Sequence, residues 1–320
     1  MAIVTNGRLE YEMSAIDVTY PDIGKVTYRG SYPLIVSNQW RPEKPPEEYT
    51  DCITFTGESS DFTLSIGGNG AKEWDGTVEY STDHNTWAVW DGTTVSSVDK
   101  KLYLRGSGNT KFYTSKGAQL SLSARAACSG NIQTLLEYSN PPTSILKNSC
   151  YQSMFKGCTN LITAPELPAT TLASQCYSNM FFRCTSLTQA PELPATTLAN
   201  HCYAYMFYGC TSLTQAPELP ATTLELSCYQ SMFNDCTNLT QAPKLPATTL
   251  AIQCYATMFK GCTSLKISAT QSSEYPTAWR IPSSGTISSM AAGWNPDMLT
   301  NTGGTFTGNP DINTTYYGAW

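Results

Sequence analysis

The chain has 320 residues, a formal net charge of −6 and charged side chains at only 14% of positions. Hydrophobic residues make up 41% of it, which is enough to bury a core and excludes a disordered chain. Lys and Arg are not clustered, so the composition argues against a nucleic-acid partner, since phosphate contacts need clustered basic side chains.

Residues 1–50 are interpreted as an N-terminal docking arm with a Pro-rich linker. Short apolar runs bounded by Gly and Pro indicate a few strands, at 2–4, 16–20 and 32–36. The stretch 41–48 is rich in Pro and charge, which is the composition of a stiff spacer. We expect residues 1–40 to bind an anchoring partner on a virion or a cell surface. The alternative is an extra strand pair on the next domain.

The start of the chain does not have the pattern of a secretory signal. Arg8, Glu10, Glu12 and Asp17 interrupt the apolar core that such a signal needs. No later run is long enough to cross a membrane, so we expect no membrane insertion. We expect a complete product here; a trimmed and renumbered leader is the alternative.

Residues 51–128 are predicted to form an all-β sandwich. Gly and Asp-Gly turns separate runs that alternate apolar and polar residues with period two: 52–55, 62–66, 78–80, 87–90, 101–105 and 120–122. The Gly-rich stretch 67–70 lacks the Lys-Ser/Thr ending of a phosphate loop and is interpreted as a turn. Trp74, Trp87 and Trp90 suit a sugar-stacking platform, with Trp87 and Trp90 as candidate ligand contacts. The alternative is packing in the sandwich core and at its edges.

From Cys150 to Leu265 one phrase returns every 26 residues, C-Y-x-x-M-F-x-x-C-T-x-L-T-Q-A-P-E-L-P-A-T-T-L-x-x-x. Its first Cys lies at 150, 176, 202, 228 and 254, and its second lies eight residues later each time. A fixed period of this length predicts stacked units, that is, a solenoid of about five units over 129–267. The segment before the first copy is interpreted as an atypical cap, in which Leu135 aligns with Leu161 and Leu146 with Leu172.

Each unit is predicted to contain a short helix, a short strand and a Pro-guided return. In the second unit Cys176, Met180 and Cys184 follow the i, i+4, i+8 spacing of an apolar helical stripe. The stretch 187–191 is predicted to be extended, because the two prolines of the P-E-L-P motif prevent a helix. Leu187, Leu193 and Leu198 are expected to point inward.

The phrase resembles the BspA-like leucine-rich repeats of bacterial surface proteins. Their unit A-F-x-G-C-x-x-L-x-x-I-x-L-P compares with M-F-K-G-C-T-N-L-I-T-A-P-E-L-P at 154–168, and the likeness covers 130–267. The predicted fold class is therefore mainly β with short helices, an N-terminal β arm and β-sandwich followed by a leucine-rich repeat solenoid. The resemblance implies adhesion or recognition of host and cell-surface partners without catalysis, and modules of this kind occur in phage fibres.

Ten of the twelve cysteines lie in the repeat at C-x7-C spacing. No C-x2-C pair or His-rich set accompanies them, so no metal site is expected. On a helix, residues eight apart are separated by about 12 Å, beyond the limit of roughly 7 Å for a disulfide. We interpret these cysteines as reduced core residues, with disulfides between units as the alternative.

Positions that vary among the copies are expected to face outward. On the helix side they bring aromatic and His side chains to the middle units, so the candidate ligand contacts are Phe182, His201, Tyr205 and Tyr208. Sequence drift on a solvent face would give similar variation. On the strand side the Thr and Gln columns, such as Gln189, Gln215 and Gln241, suit a repetitive glycan ligand or a plain solvated surface.

Residues 268–320 lose the repeat and are rich in Gly, Thr, Asn and Pro, with several aromatic residues. Turn chemistry at 302–310 and the aromatics indicate a C-terminal cap on the last unit. A receptor contact at this tip is the alternative.

These features predict a non-enzymatic recognition protein without a cofactor, because no catalytic motif is present and the two histidines lie in different domains. We expect a phage fibre or decoration protein on the virion whose repeat head binds a bacterial or host glycan or protein. The pattern at the N-terminus favours this setting, since a phage product released by lysis needs no signal. The alternatives are a secreted or surface-anchored bacterial BspA-like adhesin and, less favoured, a glycan-active enzyme with a carboxylate pair. Fibres are often homo-oligomers, but no heptad pattern specifies a number.

Overall fold

The computed structural model describes residues 52–67, 72–114, 119–281 and 293–320, and of the first 50 residues only four strands. Contacts divide the chain into two units, Met1–Glu48 and Tyr49–Trp320. Among the described residues the only helix is a short 3-10 helix, Ile132–Leu135, so the prediction of a mainly β fold is confirmed. The finer domain boundaries at 128 and 267 stay predictions.

The first unit contains two antiparallel pairs, β1 with β2 and β3 with β4. Their bounds are Ile3–Thr5, Arg8–Glu10, Ile16–Tyr20 and Gly24–Tyr28. The predicted strand at 32–36 and the Pro-rich linker at 41–48 lie outside the described residues.

The second unit contains strands β5 to β18, which form four sheets. The strands are, in order, Ile53–Gly57, Thr63–Gly67, Lys72–Trp74, Thr77–Ser81, Ala88–Val89, Val95–Ser96, Lys101–Ser107, Phe112–Thr114, Gln119–Leu122, Ala126–Ser129, Leu161–Thr163, Ile267–Ser268, Thr277–Arg280 and Thr315–Gly318. The sheet orders are β15-β14-β5-β11-β8-β9, β10-β6-β13, β12-β7 and β16-β18-β17. Every pair is antiparallel except β14 with β15, which is parallel.

The six-stranded sheet and the three-stranded sheet β10-β6-β13 share one buried core. Ile53 and Phe55 of β5 and Leu64 of β6 are buried while their neighbours are partly exposed, as the period-two pattern predicts. All six strands predicted between 52 and 122 are present, with ends shifted by a few residues. Because β14 pairs with β15, the six-stranded sheet continues into the first repeat copy.

The prediction of a short helix in each repeat is wrong. The nine residues from the first to the second Cys, called here the turn segment, form consecutive turns instead. Every fourth residue has a positive φ, for example Asn179 at 57° and Arg183 at 57° in the second copy, and this left-handed conformation interrupts an α-helix. The i, i+4, i+8 spacing of Cys, Met and Cys therefore reflects a turn repeat of four residues rather than the helical period.

The hydrogen bonds of the turn segments explain this conformation. Alternate N–H groups donate within the segment to the third residue before them, as Met180 N–H does to Tyr177 O. The intervening N–H groups donate to carbonyls of the next copy, as Tyr177 N–H does to Cys202 O. Five bonds of 2.7–3.2 Å join each copy to the next in this way. The segment thus satisfies its backbone polar groups by stacking, which a helix would do internally.

The remainder of each copy, called here the return segment, is extended but pairs sparsely. Beyond β15 the described copies are joined there by single bridges, such as Gln215 with Gln241 and Thr223 with Thr249. The predicted short strands are reduced to these bridges because the prolines at two positions of each P-E-L-P motif have no N–H to donate. Leu187, Leu193 and Leu198 of the second copy are buried, as predicted.

Two columns of buried aromatic rings run through the repeat. The rings of Tyr151, Tyr177, Tyr203, Tyr229 and Tyr255 follow one another at 5.8–6.0 Å with nearly parallel planes. The rings of Phe155, Phe181, Phe207, Phe233 and Phe259 follow at 5.5–5.7 Å. Because each copy has the same residue type at the same position, residues 26 apart in sequence form a single stack in space.

Strands of the preceding sheets cover the N-terminal end of the turn segments. Phe112 N–H donates to Cys150 O and Leu120 N–H donates to Met154 O, which are the acceptors that a preceding copy would have used. The alignment predicted for this end is wrong. Ala126, not Leu135, pairs with Leu161. The chain then takes 18 residues to reach Ser144, which pairs with Thr171, where the repeat takes ten.

This insertion shifts the register, so that Ile145 is 1% exposed and takes the buried leucine place, whereas Leu146 is 83% exposed.

A further turn segment lies beyond residue 267, the predicted end of the repeat. Residues 293–302 form a sixth turn segment, which accepts five backbone bonds from Gln253, Tyr255, Thr257, Phe259 and Gly261. In it Met298 and Leu299 replace the Met-Phe pair and Thr302 replaces the second Cys. Asp297 and Asn301 have the expected positive φ, 56° and 61°. A 40-residue interval between Cys254 and Trp294, in place of 26, hides this copy in the sequence.

Candidate recognition surface on the turn segments

Three of the predicted contact residues lie together on the turn segments of the second and third copies. The rings of Phe182 and Tyr208 stack at 4.8 Å with an interplanar angle of 11°. The ring of Tyr205 lies 6.3 Å from that of Tyr208 at 39°. All three side chains are half-buried, so each ring presents part of its surface to solvent. We call these three residues the aromatic cluster.

Charged side chains surround the aromatic cluster. The Lys156 ammonium lies 5.2 Å and the Arg183 guanidinium 5.3 Å from the centre of the Phe182 ring, within range of a cation–π interaction. Hydrogen bonding to the Asp235 carboxylate, together with burial, raises the pKa of Tyr208 above its ordinary value. The phenol therefore stays protonated at neutral pH.

Backbone conformation sets the direction of two of these charged side chains. Arg183 and Asp235 occupy the last left-handed position of their turn segments, where three other copies have Gly157, Gly209 and Gly261. A Cβ on Gly209 would lie 3.1 Å from Cγ of Arg183, so the arginine stem lies directly over that glycine. The Asp235 carboxylate lies over Gly261 in the same way. Glycine in alternate copies therefore makes room for a long side chain from the copy before.

The structure does not bring the other predicted contacts into this cluster. His201 is half-buried at a left-handed position with φ 56°, and among the described residues no ring contact joins it to Phe182, Tyr205 or Tyr208. It lies one turn before Tyr205 along the chain, at the start of the third copy.

The two tryptophan candidates lie in the sheets before the repeat. Trp90 is 1% exposed, and its ring stacks on Trp74 at 5.6 Å, so it packs in the core out of reach of a ligand. Trp87 is half-buried, and the Arg105 guanidinium covers one face at 3.9 Å from the ring centre. A stacking platform shared by the three Trp rings is therefore not formed in this structure.

The return segments carry a second concave surface. A groove of about 340 Å³ lies between the second and third copies and a neighbouring one of about 560 Å³ between the first and second. Both are lined by the Gln or Thr at the bridge position and by the P-E-L-P motifs, with Glu166, Glu192 and Glu218 exposed. The sequence pattern of the Thr and Gln columns pointed to this side, but the Pro and Glu lining was not part of the prediction.

The cysteines have no reactive setting. All twelve are free thiols and all are buried. In four copies the second Cys donates to a carbonyl of the previous copy, as Cys210 Sγ does to Phe181 O at 3.1 Å. Burial raises the pKa of Cys202 to about 12 and that of Cys210 well above its usual range. These thiols stay protonated at neutral pH and are not nucleophiles.

Within the described ranges, His, Cys, Asp and Glu form no group of three that could hold a metal ion. Over the same residues, no helix has both the length and the apolar character needed to cross a membrane.

Sequence reasoning missed the charged frame of the aromatic cluster. Lys156, Arg183 and Asp235 were not among the predicted contacts, although the position before the second Cys is Gly, Arg, Gly, Asp and Gly in the five copies. A charged residue in a column of glycines is the signal that points to Arg183 and Asp235.

No family model, no curated protein and no solved structure matches this chain.

Proposed function

We propose that this chain is a non-enzymatic recognition protein whose repeat region binds a cell-surface glycan or protein. The aromatic cluster of Phe182, Tyr205 and Tyr208 carries the proposal, because it is a patch of partly exposed rings on a surface otherwise made of polar and charged residues. Tyr rings supply a large contact area at low entropic cost and are enriched at binding hot spots.

The proposal includes an architecture. Residues 51–128 act as a β-sandwich, which is supported by two sheets that share one core. Residues 129–267 act as a BspA-like leucine-rich repeat solenoid, which is supported by backbone bonds and ring stacks that recur every 26 residues. The two parts hold the aromatic cluster on a rigid surface, because its rings are attached to a backbone bonded on both sides.

The proposed setting is a virion, where the chain is a fibre or decoration protein anchored through residues 1–40. A bacterial BspA-like adhesin on the cell surface is the second setting. The resemblance of the repeat supports recognition in both. Capsid and tail genes beside this gene would support the virion, whereas a neighbourhood of cell-envelope and secretion genes would contradict it.

The first test is substitution of the cluster. Tyr205→Ser with Tyr208→Ser removes two rings, and we expect binding to whole cells or to the best ligand on a glycan array to weaken about tenfold or more. Thr214→Ser, on the exposed return segment of the same copy, is the matched control and should bind like the parent protein. Circular dichroism and the melting temperature establish that both variants are folded.

Two results would contradict the proposal. Unchanged binding by the folded double variant would remove the cluster from the binding surface. Turnover of bound glycan that a single carboxylate substitution abolishes would make the chain an enzyme.

A further inference from the structure

The charges around the aromatic cluster are those of an anion-binding surface in an acidic protein. The chain carries a net charge of −6, yet Lys156 and Arg183 both lie beside the Phe182 ring. Over the described part of the chain, neither forms an ion pair with a carboxylate. Arg183 is exposed, so its guanidinium is accessible to a ligand.

Arg183 stands where the fold favours glycine. Its φ of 57° lies in the left-handed region, which is unfavourable for a long side chain, and the corresponding residues in the first, third and fifth copies are glycines. The stem of Arg183 crosses Gly209 toward the third copy, which carries Tyr205 and Tyr208.

The tyrosine rings and the Arg183 guanidinium suit two different parts of one ligand. One face of Tyr208 stacks on Phe182, and Tyr205 is tilted by 39° from Tyr208. Both tyrosines are partly exposed, and the exposed part of such rings suits the apolar face of a sugar ring. A guanidinium binds a carboxylate through two parallel hydrogen bonds. Asp235, beside Tyr208, can accept a hydrogen bond from a sugar hydroxyl.

We infer that the aromatic cluster binds a saccharide that carries a carboxylate, with a pyranose ring on Tyr205 and Tyr208 and the carboxylate on Arg183. Lys156 adds positive potential from the first copy. This assignment rests on the proposed recognition function and gives it a ligand class, a uronic-acid type sugar of the kind that repeats in acidic polysaccharides.

The test compares trigalacturonate with its methyl ester, which has the same rings without the charges. Affinities are measured by isothermal titration calorimetry with the full chain, and we expect the acid to bind about tenfold more tightly than the ester at low salt. Added NaCl should weaken binding of the acid and leave that of the ester unchanged.

Arg183→Gly is the diagnostic variant, because glycine is the residue found at this place in three other copies and the fold accepts it. It should lose about tenfold in affinity for the acid and keep the affinity for the ester within about twofold. Lys244→Gln removes the same charge from the exposed return segment and is the matched control, which should change neither affinity.

The remaining outcomes show whether this inference fails alone or together with the proposed function. Equal affinity for acid and ester, with binding lost in the Tyr205→Ser and Tyr208→Ser variant, overturns the carboxylate assignment and supports recognition. Binding of neither probe, with cell binding still dependent on the two tyrosines, overturns the saccharide assignment alone. Cell binding that does not depend on the tyrosines overturns both.

Discussion

The second cysteine of each copy is a hydrogen-bond donor as well as an apolar residue. Cys236 Sγ lies 3.0 Å from Phe207 O of the previous copy, and this carbonyl also accepts from Cys210 N–H. The first cysteine of the same copy, Cys228, is equally buried, but the structure gives its thiol no such bond. One residue type therefore has two roles in one turn segment, and the thiol bond adds a link between copies.

A pair of substitutions measures that link. Cys236→Ala removes both packing and the thiol bond, whereas Cys228→Ala removes packing alone. We expect Cys236→Ala to be more destabilising than Cys228→Ala by about 0.5–1 kcal/mol in urea unfolding, because it also removes a hydrogen bond. The difference is small because Phe207 O keeps its bond from Cys210 N–H. Equal losses of unfolding free energy in the two variants would show that the thiol bond contributes nothing.

Protonation of Asp83, in the turn after β8, is predicted to destabilise the protein in acid. Asp83 accepts hydrogen bonds from the Thr86 and Asn85 N–H groups and from the Ser81 hydroxyl, and these bonds lower its pKa to about 2. Its ordinary value is 3.8, so the stabilisation is present above that pH and is lost as the pH falls toward about 2.

We expect Asp83→Asn to remove this part of the fall in melting temperature between about pH 4 and pH 2. Differential scanning calorimetry at several pH values measures it. Asp311→Asn, in an exposed loop, is the control and should keep the parent profile. Identical acid profiles for the parent and Asp83→Asn would refute the assignment.

At the scale of elements, the strands were predictable and the turns were not. Alternation of apolar residues located six of the nine strands between 52 and 122, because that pattern depends only on one buried face, and it missed the short strands β7, β10 and β12. The turn segment has an apolar residue every fourth position, which matches a helix until backbone φ is known. Nothing in its composition shows that half of its N–H groups are satisfied by the next copy. Sequence identified the outward rings of the aromatic cluster but not the charges that side chains carry across from neighbouring copies.

The C-terminal sheet depends on one close approach. Strands β16, β17 and β18 pair in the order β16-β18-β17, and Gly304 lies against the backbone of Ile267 in β16. A Cβ at residue 304 would overlap the backbone N and O of Ile267. Gly308 has more room, since the nearest atom to an added Cβ is 3.5 Å away on Phe306.

Gly304→Ala should therefore lower the free energy of unfolding by about 2–3 kcal/mol, because the backbone must move to admit the methyl group. Gly308→Ala is the matched control and should change it by less than about 0.5 kcal/mol. Chemical denaturation followed by Trp fluorescence measures both. Similar stability of the two variants would contradict the close packing of residue 304 on β16.

At the scale of the whole molecule, the repeat buries many groups that ionise in alkali. Burial raises the pKa values of the thiols, for example that of Cys150 to about 12 and that of Cys158 to about 11, from an ordinary 9.0. The buried Tyr column has pKa values raised well above 10.0. Because the folded pKa values are raised, the stabilisation is present below the unfolded values and is lost as the pH rises through the folded ones.

We expect the urea midpoint to stay flat to about pH 8.5 and then to fall steeply, since each buried thiol contributes a slope of up to about 1.4 kcal/mol per pH unit above pH 9. The measurement is urea unfolding between pH 8 and about pH 11 under reducing conditions, with pH 6–8 as the internal control. A midpoint unchanged up to pH 11 would contradict the burial of these groups.

The backbone hydrogen bonds between turn segments all point the same way. At every junction the N–H groups belong to the earlier copy and the carbonyls to the later one. The peptide dipoles on this side of the repeat therefore add, with the negative pole at the first copy and the positive pole at the sixth, the reverse of the direction in an α-helix. The N–H groups of Phe112 in β12 and Leu120 in β13 meet the negative pole at the first copy. The preceding sheets therefore compensate this dipole within the chain at the end where its carbonyls would otherwise lack donors.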